Sequence, residues 1–173
     1  MVVESNVTLD AATERNVQAW LNGGYDEETK DHIRKLLKED PQEIVNSFYT
    51  NLSFGTGGIR GIMGVGCNRM NKYTVRAATA GMAHYIAKAV DVEAPSVFIG
   101  YDSRNNSRFF AEEAAKVLAA YNIKAYLSKE LRSTPLVSYG CRHYHCTAAI
   151  MITASHNPPE YNGYKVYWSD GGQ

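Results

Sequence analysis

The stretch SVFIGYDSRNNSRFFAEEAAKVLAAYNIKAYLS, residues 96–128, decides the fold class. Its first six residues, SVFIGY (96–101), are a short apolar run suited to a buried strand. Residues 108–121, RFFAEEAAKVLAAY, are rich in strong helix formers. IKAYLS (123–128) returns to strand character. A strand, a helix of about 10–15 residues and a second strand read as a βαβ unit, with its two strands parallel. The alternation continues on both sides. Upstream, a long helix is expected from Thr74, with Val75, Ala78, Met82 and Ile86 in helical register. Downstream, Thr134-Pro135 reads as an N-cap followed by an N1 proline. CTAAIMIT (146–153) then reads as a buried strand and GYKVYW (163–168) as a strand of mixed alternation. The expected fold is α/β, a three-layer α/β/α arrangement with a mixed, mostly parallel sheet.

The first third of the chain has a different character. Asp10 to Leu21 carries Ala12, Val17, Trp20 and Leu21, and Gly23-Gly24 closes it as a helix C-cap would. Asp26 opens a second helix with Ile33, Leu36 and Leu37 on one stripe. Asp40, Pro41 and Glu43 start a third. Residues 1–47 are therefore expected to form a helical N-terminal extension packed on a main body of residues 48–173.

Composition narrows the class without naming a function. Eighteen basic and eighteen acidic residues give no net charge, which argues against a nucleic-acid module. No apolar run exceeds five residues, far short of a membrane span. The start, MVVESNVTLDAATER, lacks a basic and then apolar leader, and three cysteines make no disulfide framework. A cytoplasmic protein is expected, with neither membrane nor nucleic acid as partner.

Chemistry concentrates in two places. FGTGGIRGIMGVG (54–66) holds six of the fourteen glycines, a density that excludes a helix or strand core. It is neither a Walker A loop nor a dinucleotide fingerprint, because no Gly-Lys pair occurs and Arg60 takes the third glycine position. Its bare backbone N–H groups and the Arg60 guanidinium suit a phosphate; a hairpin that needs glycine at positive φ is the other reading. In TASHNPPEYNGYK (153–165), Ser155 follows an apolar strand, with His156 next and a rigid Asn-Pro-Pro turn after it. Such a serine can be a nucleophile or phosphate acceptor, or simply a cap beside an exposed loop histidine. It lacks the Gly-x-Ser-x-Gly pattern of a hydrolase elbow. Lys165 lies ten residues on, among Tyr161, Tyr164 and Tyr167, where it can serve as an acid or base or be merely solvated. Cys141, His143, His145 and Cys146 have the wrong spacing for structural zinc.

FGTGGIRG (54–61), GYDSR (100–104) and TASHNPPEYNGYK (153–165), in that order, resemble the α-D-phosphohexomutases, in particular the phosphoglucomutase, phosphomannomutase and phosphopentomutase-like branch. The resemblance implies a phosphoserine enzyme. Ser155 would carry a phosphoryl group and exchange it with a hexose phosphate through a bound 1,6-bisphosphate. Lys165 matches the general acid/base lysine, His156 the histidine beside the phosphoserine, and Arg60 the arginine that steadies the phosphate. Arg104 matches a family arginine with a supporting, phosphate-side role. Implied cofactors are Mg²⁺, bound in part through the phosphate on Ser155, and glucose 1,6-bisphosphate as activator. The seven aspartates contain no DGDxDR-like metal loop, so the resemblance covers domain I alone, cut short at its C-terminal end. The remaining domains are then expected partners, and the chain is expected to be inactive without them. Gly57 departs from the family's usual Ser or Ala. A non-catalytic phosphate-binding module and a phosphopentomutase are the alternatives.

Overall fold

A computed structural model describes residues 8–173; the reading of MVVESNV as leader-free concerns residues 1–7 and lies outside it. Five strands build one sheet: β1 (Ile59–Ile62), β2 (Ser96–Tyr101), β3 (Lys124–Leu127), β4 (Ala148–Ile152) and β5 (Tyr161–Trp168). Their order across the sheet is β1-β5-β4-β2-β3. β2 pairs in parallel with both β3 and β4, as the crossover through α5 (Ser107–Ala120) requires. β5 is antiparallel to its neighbours β4 and β1, so β1 to β4 run one way and β5 alone runs back. The sheet is mixed, with four of five strands co-directional.

The two faces bury different helices. Val97, Ile99, Ile150, Ile152 and Tyr164 meet Met82 and Ile86 of α4 (Lys72–Ala89) and Ala114 and Leu118 of α5. On the other face Ala149, Met151 and Tyr167 meet Val137 and Cys141 of α6 (Thr134–His143), with Cys146 beside them. Each aliphatic side chain buried this way is worth about 1.5–3 kcal/mol relative to exposure. Helix, sheet, helix is the three-layer arrangement expected of the alternation.

Helices α1 (Ala11–Asn22), α2 (Glu27–Glu39) and α3 (Pro41–Phe48) precede it. Asp10, Asp26 and Asp40 cap them, each carboxylate accepting from main-chain N–H groups of the first turn. Val17, Trp20, Ile33, Ile44 and Phe48 form a separate small core, completed by Val65, Cys67 and Tyr73 from the body. Arg69, itself buried, donates to Glu43, and the Tyr73 hydroxyl donates to Asp26.

Three local expectations change. The glycine-rich run does contain a strand, β1, held by its ladder with β5 rather than by strand propensity. α4 begins at Lys72, two residues early, because Asn71 and Thr74 form a reciprocal capping box. The N-cap of α6 is Ser133, which puts Pro135 in the second helical position. Among the described residues no helix is long and apolar enough to cross a membrane.

Candidate active site

Ligands of open α/β sheets gather where parallel strands end. β1, β2 and β4 all end at one edge, and β5, running back, starts there. Four segments therefore converge: the short strand β1 with Arg60, the turn Asp102–Arg104, the loop 153–160, and the start of β5.

Ser155 is exposed and has a left-handed backbone, φ +60°. For a residue with a Cβ this costs about 1–2 kcal/mol. Its N–H donates to the Thr153 hydroxyl at 2.9 Å, and the Asn157 N–H closes the turn on the Ala154 carbonyl at 3.1 Å. The Ser155 hydroxyl and His156 Nδ1 are 3.4 Å apart, with the histidine also exposed.

Arg60 and Lys165 share one face of the sheet. Arg60 is opposite Gly163 in the ladder, and Lys165, two residues further along β5, is opposite Met151. Side chains at this spacing project to the same side. Both are half-buried. The Arg60 guanidinium donates through Nη1 to Asn157 Oδ1 at 3.1 Å, bringing it to the Ser155 loop. Of the tyrosines expected around Lys165, Tyr164 is on the opposite face, fully buried, with its hydroxyl paired to Thr79 at 3.0 Å. Tyr167 shares the face of Lys165 but is packed under α6.

The glycines before β1 form a hairpin. Gly55 and Gly58 exchange both main-chain hydrogen bonds at 3.1 Å, leaving Thr56 and Gly57 at the tip. Two of the N–H groups that suited a phosphate are thus spent inside the chain. Gly58 has φ +92°, and a Cβ there would lie 2.4 Å from the Tyr164 carbonyl oxygen. Only glycine lets the hairpin lie on β5 beside Lys165.

Arg104 faces inward. Nη1 donates to the carbonyls of Pro158 (2.9 Å) and Tyr161 (3.1 Å), and Nη2 to those of Ser155 (2.9 Å) and Asn157. Nε lies 3.7 Å from Asp102 Oδ2. Both terminal nitrogens of this guanidinium are thus bonded to the chain itself. Asp102 Oδ1 also accepts from the Ser107 hydroxyl at 2.8 Å. Asn162, fully buried on β5, donates to Ser107 Oγ and to the Asn105 carbonyl. Thr153, Asn157, Asp102 and Asn162 had no role in the sequence reading. The one signal they gave was polarity inside or beside apolar strands.

The donors around Ser155 do not fit a magnesium site on their own. Mg²⁺ takes six oxygen ligands. Here there are a hydroxyl and an imidazole, while the nearby Asp102 carboxylate is held by Arg104 and Ser107. Among the described residues no three His, Cys, Asp or Glu side chains converge. Cys141 and Cys146 are buried among apolar side chains, whereas His143 stacks on Tyr139. What the arrangement offers is an exposed hydroxyl on a rigid turn, an imidazole beside it, and two cations on one side of the sheet. Such a group of donors suits an anionic, phosphate-sized partner.

Comparison with known proteins bears on the family and the fold. The family described as phosphoglucomutase/phosphomannomutase, alpha/beta/alpha domain I, matches residues 51–173. A phosphoglucomutase of Staphylococcus epidermidis is 44% identical over 154 residues, covering 89% of this chain and 27% of that protein. One of Staphylococcus aureus is 42% identical over 149 residues, covering 85% and 27%. The chain thus spans about a quarter of the length of these relatives. A Thermus thermophilus crystal structure, provisionally named a phosphomannomutase, superposes with a TM-score of 0.64 at 30% identity, covering 71% of this chain and 27% of that one. A Burkholderia thailandensis phosphoglucomutase/phosphomannomutase family protein shares the fold with a TM-score of 0.59 at 20% identity, over 68% and 26%. With most of its length matched and the sheet in common, the chain belongs to the phosphoglucomutase/phosphomannomutase family, as its alpha/beta/alpha domain I.

Proposed function

We propose that this chain carries the phosphoryl group of an intramolecular phosphotransferase that interconverts hexose 1-phosphate and hexose 6-phosphate. Ser155 is the carrier. Its phosphoserine P–O bond breaks as a hydroxyl oxygen of the bound hexose phosphate bonds to phosphorus, giving a 1,6-bisphosphate. The serine oxygen then recovers a phosphoryl group from the other position of the sugar. Lys165 takes and returns the proton that passes between the sugar hydroxyl and the serine oxygen. Arg60 offsets the charge of the phosphoryl oxygens, and His156 flanks them. Phosphoryl transfer leaves the protein mostly positioning and electrostatic work, which matches this set of residue types.

The observation that carries this reading is the Arg60–Asn157 hydrogen bond, which seats a half-buried cation at the loop bearing the exposed Ser155. Mg²⁺ neutralises phosphate charge where it binds; its remaining ligands are proposed to lie in other domains, since the donors here do not fit it. Those domains, glucose 1,6-bisphosphate as activator and the choice of sugar belong to the same proposal. The test is to purify the protein from its native host and map any phosphate by mass spectrometry. A single phosphate on Ser155, lost in Ser155→Ala, is expected. No phosphate on Ser155 overturns the reading.

A further inference from the structure

We infer that Arg104, together with Thr153, is a positioning residue that locks Ser155 in its left-handed conformation and so aims its hydroxyl, instead of contacting substrate phosphate. The inference rests on the reading of Ser155 as phosphoryl carrier. A guanidinium has five N–H donors in a fixed planar fork. In Arg104 the two terminal nitrogens donate to the main-chain oxygens of Ser155, Asn157, Pro158 and Tyr161, and Nε lies 3.7 Å from Asp102 Oδ2, an ion pair rather than a hydrogen bond. Both terminal nitrogens, the part of the fork that would grip a phosphate, are taken by the chain.

The acceptors have a particular distribution. The Ser155 residue is gripped at both ends, its N–H by the Thr153 hydroxyl and its carbonyl by Arg104. The other three carbonyls span the Asn-Pro-Pro turn and the first residue of β5. One side chain from the turn after β2 therefore ties Ser155 to the far end of its loop. The anchor is firm in turn. Asp102 accepts from the Arg104 N–H and from Ser107, and Ser107 accepts from the buried Asn162 of β5. Without this grip, a serine with φ +60° relaxes toward the ordinary regions and its hydroxyl changes direction. Lysine cannot replace the fork, because its ammonium has no planar array to serve four carbonyls.

The experiment compares Arg104→Met, Arg104→Lys and Thr153→Val with the parent chain in two measurements. In amide hydrogen exchange, Arg104→Met is expected to speed the Asn157 and Tyr161 amides about tenfold or more, while the β2 and β4 amides keep their rates. In single-turnover phosphorylation by glucose 1,6-bisphosphate, measured with the proposed other domains present, the maximal rate on Ser155 is expected to fall about tenfold or more, with the half-saturating donor concentration unchanged. Arg104→Lys is expected to fall with it, Thr153→Val less steeply, and added guanidinium ion to restore part of the rate of Arg104→Met. Unchanged loop exchange overturns the inference. So does a raised half-saturating concentration at an unchanged maximal rate, since that is the mark of a direct phosphate contact. If the parent takes no phosphate with those domains present, the reading of Ser155 fails, and the exchange comparison alone decides whether Arg104 locks the loop.

Discussion

Arg60 and Asn157, 97 positions apart in the chain, are joined by a hydrogen bond of 3.1 Å between guanidinium and side-chain carbonyl. The bond links the edge strand β1 to the loop after β4, with β5 between them in the sheet. It orients Arg60 while leaving its other donors free of side-chain partners among the described residues.

Asn157→Ala releases that guanidinium without removing it. The expected outcome is slower phosphorylation of Ser155 by glucose 1,6-bisphosphate with the proposed other domains present, and a stability loss of only about 1 kcal/mol. Rate by mass spectrometry and stability by urea titration separate the two effects. An unchanged rate shows that Arg60 needs no such support.

Gly58 and Gly57 differ in what a methyl group meets. At Gly58 the backbone is left-handed and a Cβ strikes β5, so Gly58→Ala is expected to cost about 2–4 kcal/mol. At Gly57 the nearest heavy atom is Arg60 Nη2 at 3.6 Å, an ordinary contact. Gly57→Ala is expected to stay within about 0.5 kcal/mol of the parent. Paired urea titrations check the contrast; equal costs would disprove it.

The left-handed backbone of Ser155 predicts an order of stability. Glycine tolerates that conformation and alanine does not, so Ser155→Gly is expected to be more stable than Ser155→Ala by about 1 kcal/mol. Neither variant should take up phosphate. Thermal unfolding of the pair measures the difference, and the reverse order rules the prediction out.

Acid stability should depend on Glu113, which is buried between α4 and α5. Burial alone raises its pKa, but hydrogen bonds from Lys116 at 2.6 Å and from Arg76 at 2.5 Å outweigh this and hold it below the ordinary value. With the folded pKa below the unfolded one, its contribution is complete above about pH 4.3 and is lost as pH falls through the folded value. Asp26, lowered by hydrogen bonds from Lys72 and Tyr73, acts in the same direction. Urea midpoints measured from about pH 6 to about pH 3 should fall less steeply for Glu113→Gln than for the parent. Parallel curves count against this role.

Much of the fold was legible because its signals are local. The apolar runs of β2 and β4, the helix formers of α5 and the aspartate caps of α1 to α3 depend on neighbours within a few residues. β1 was not legible. Its IRGI sequence is an unremarkable piece of a glycine-rich run, and it becomes a strand through pairing with residues far along the chain on β5. Tyr164 misled for a related reason. In sequence it touches Lys165, whereas alternation on a strand sends it to the other face, into the α4 core.

The same division separates residue type from residue role. Sequence alone marked Ser155, His156, Lys165 and Arg60 as the chemically capable groups, because residue type and motif order are written along the chain. The resemblance gave Arg104 a supporting role on the phosphate side, and in the fold its terminal nitrogens donate to loop carbonyls. Which acceptors a guanidinium finds depends on how loops from β2, β4 and β5 meet at one sheet edge, and no local signal encodes that meeting. Topology brings the carbonyls of Ser155, Asn157, Pro158 and Tyr161 within reach of one side chain that lies far before them in the chain.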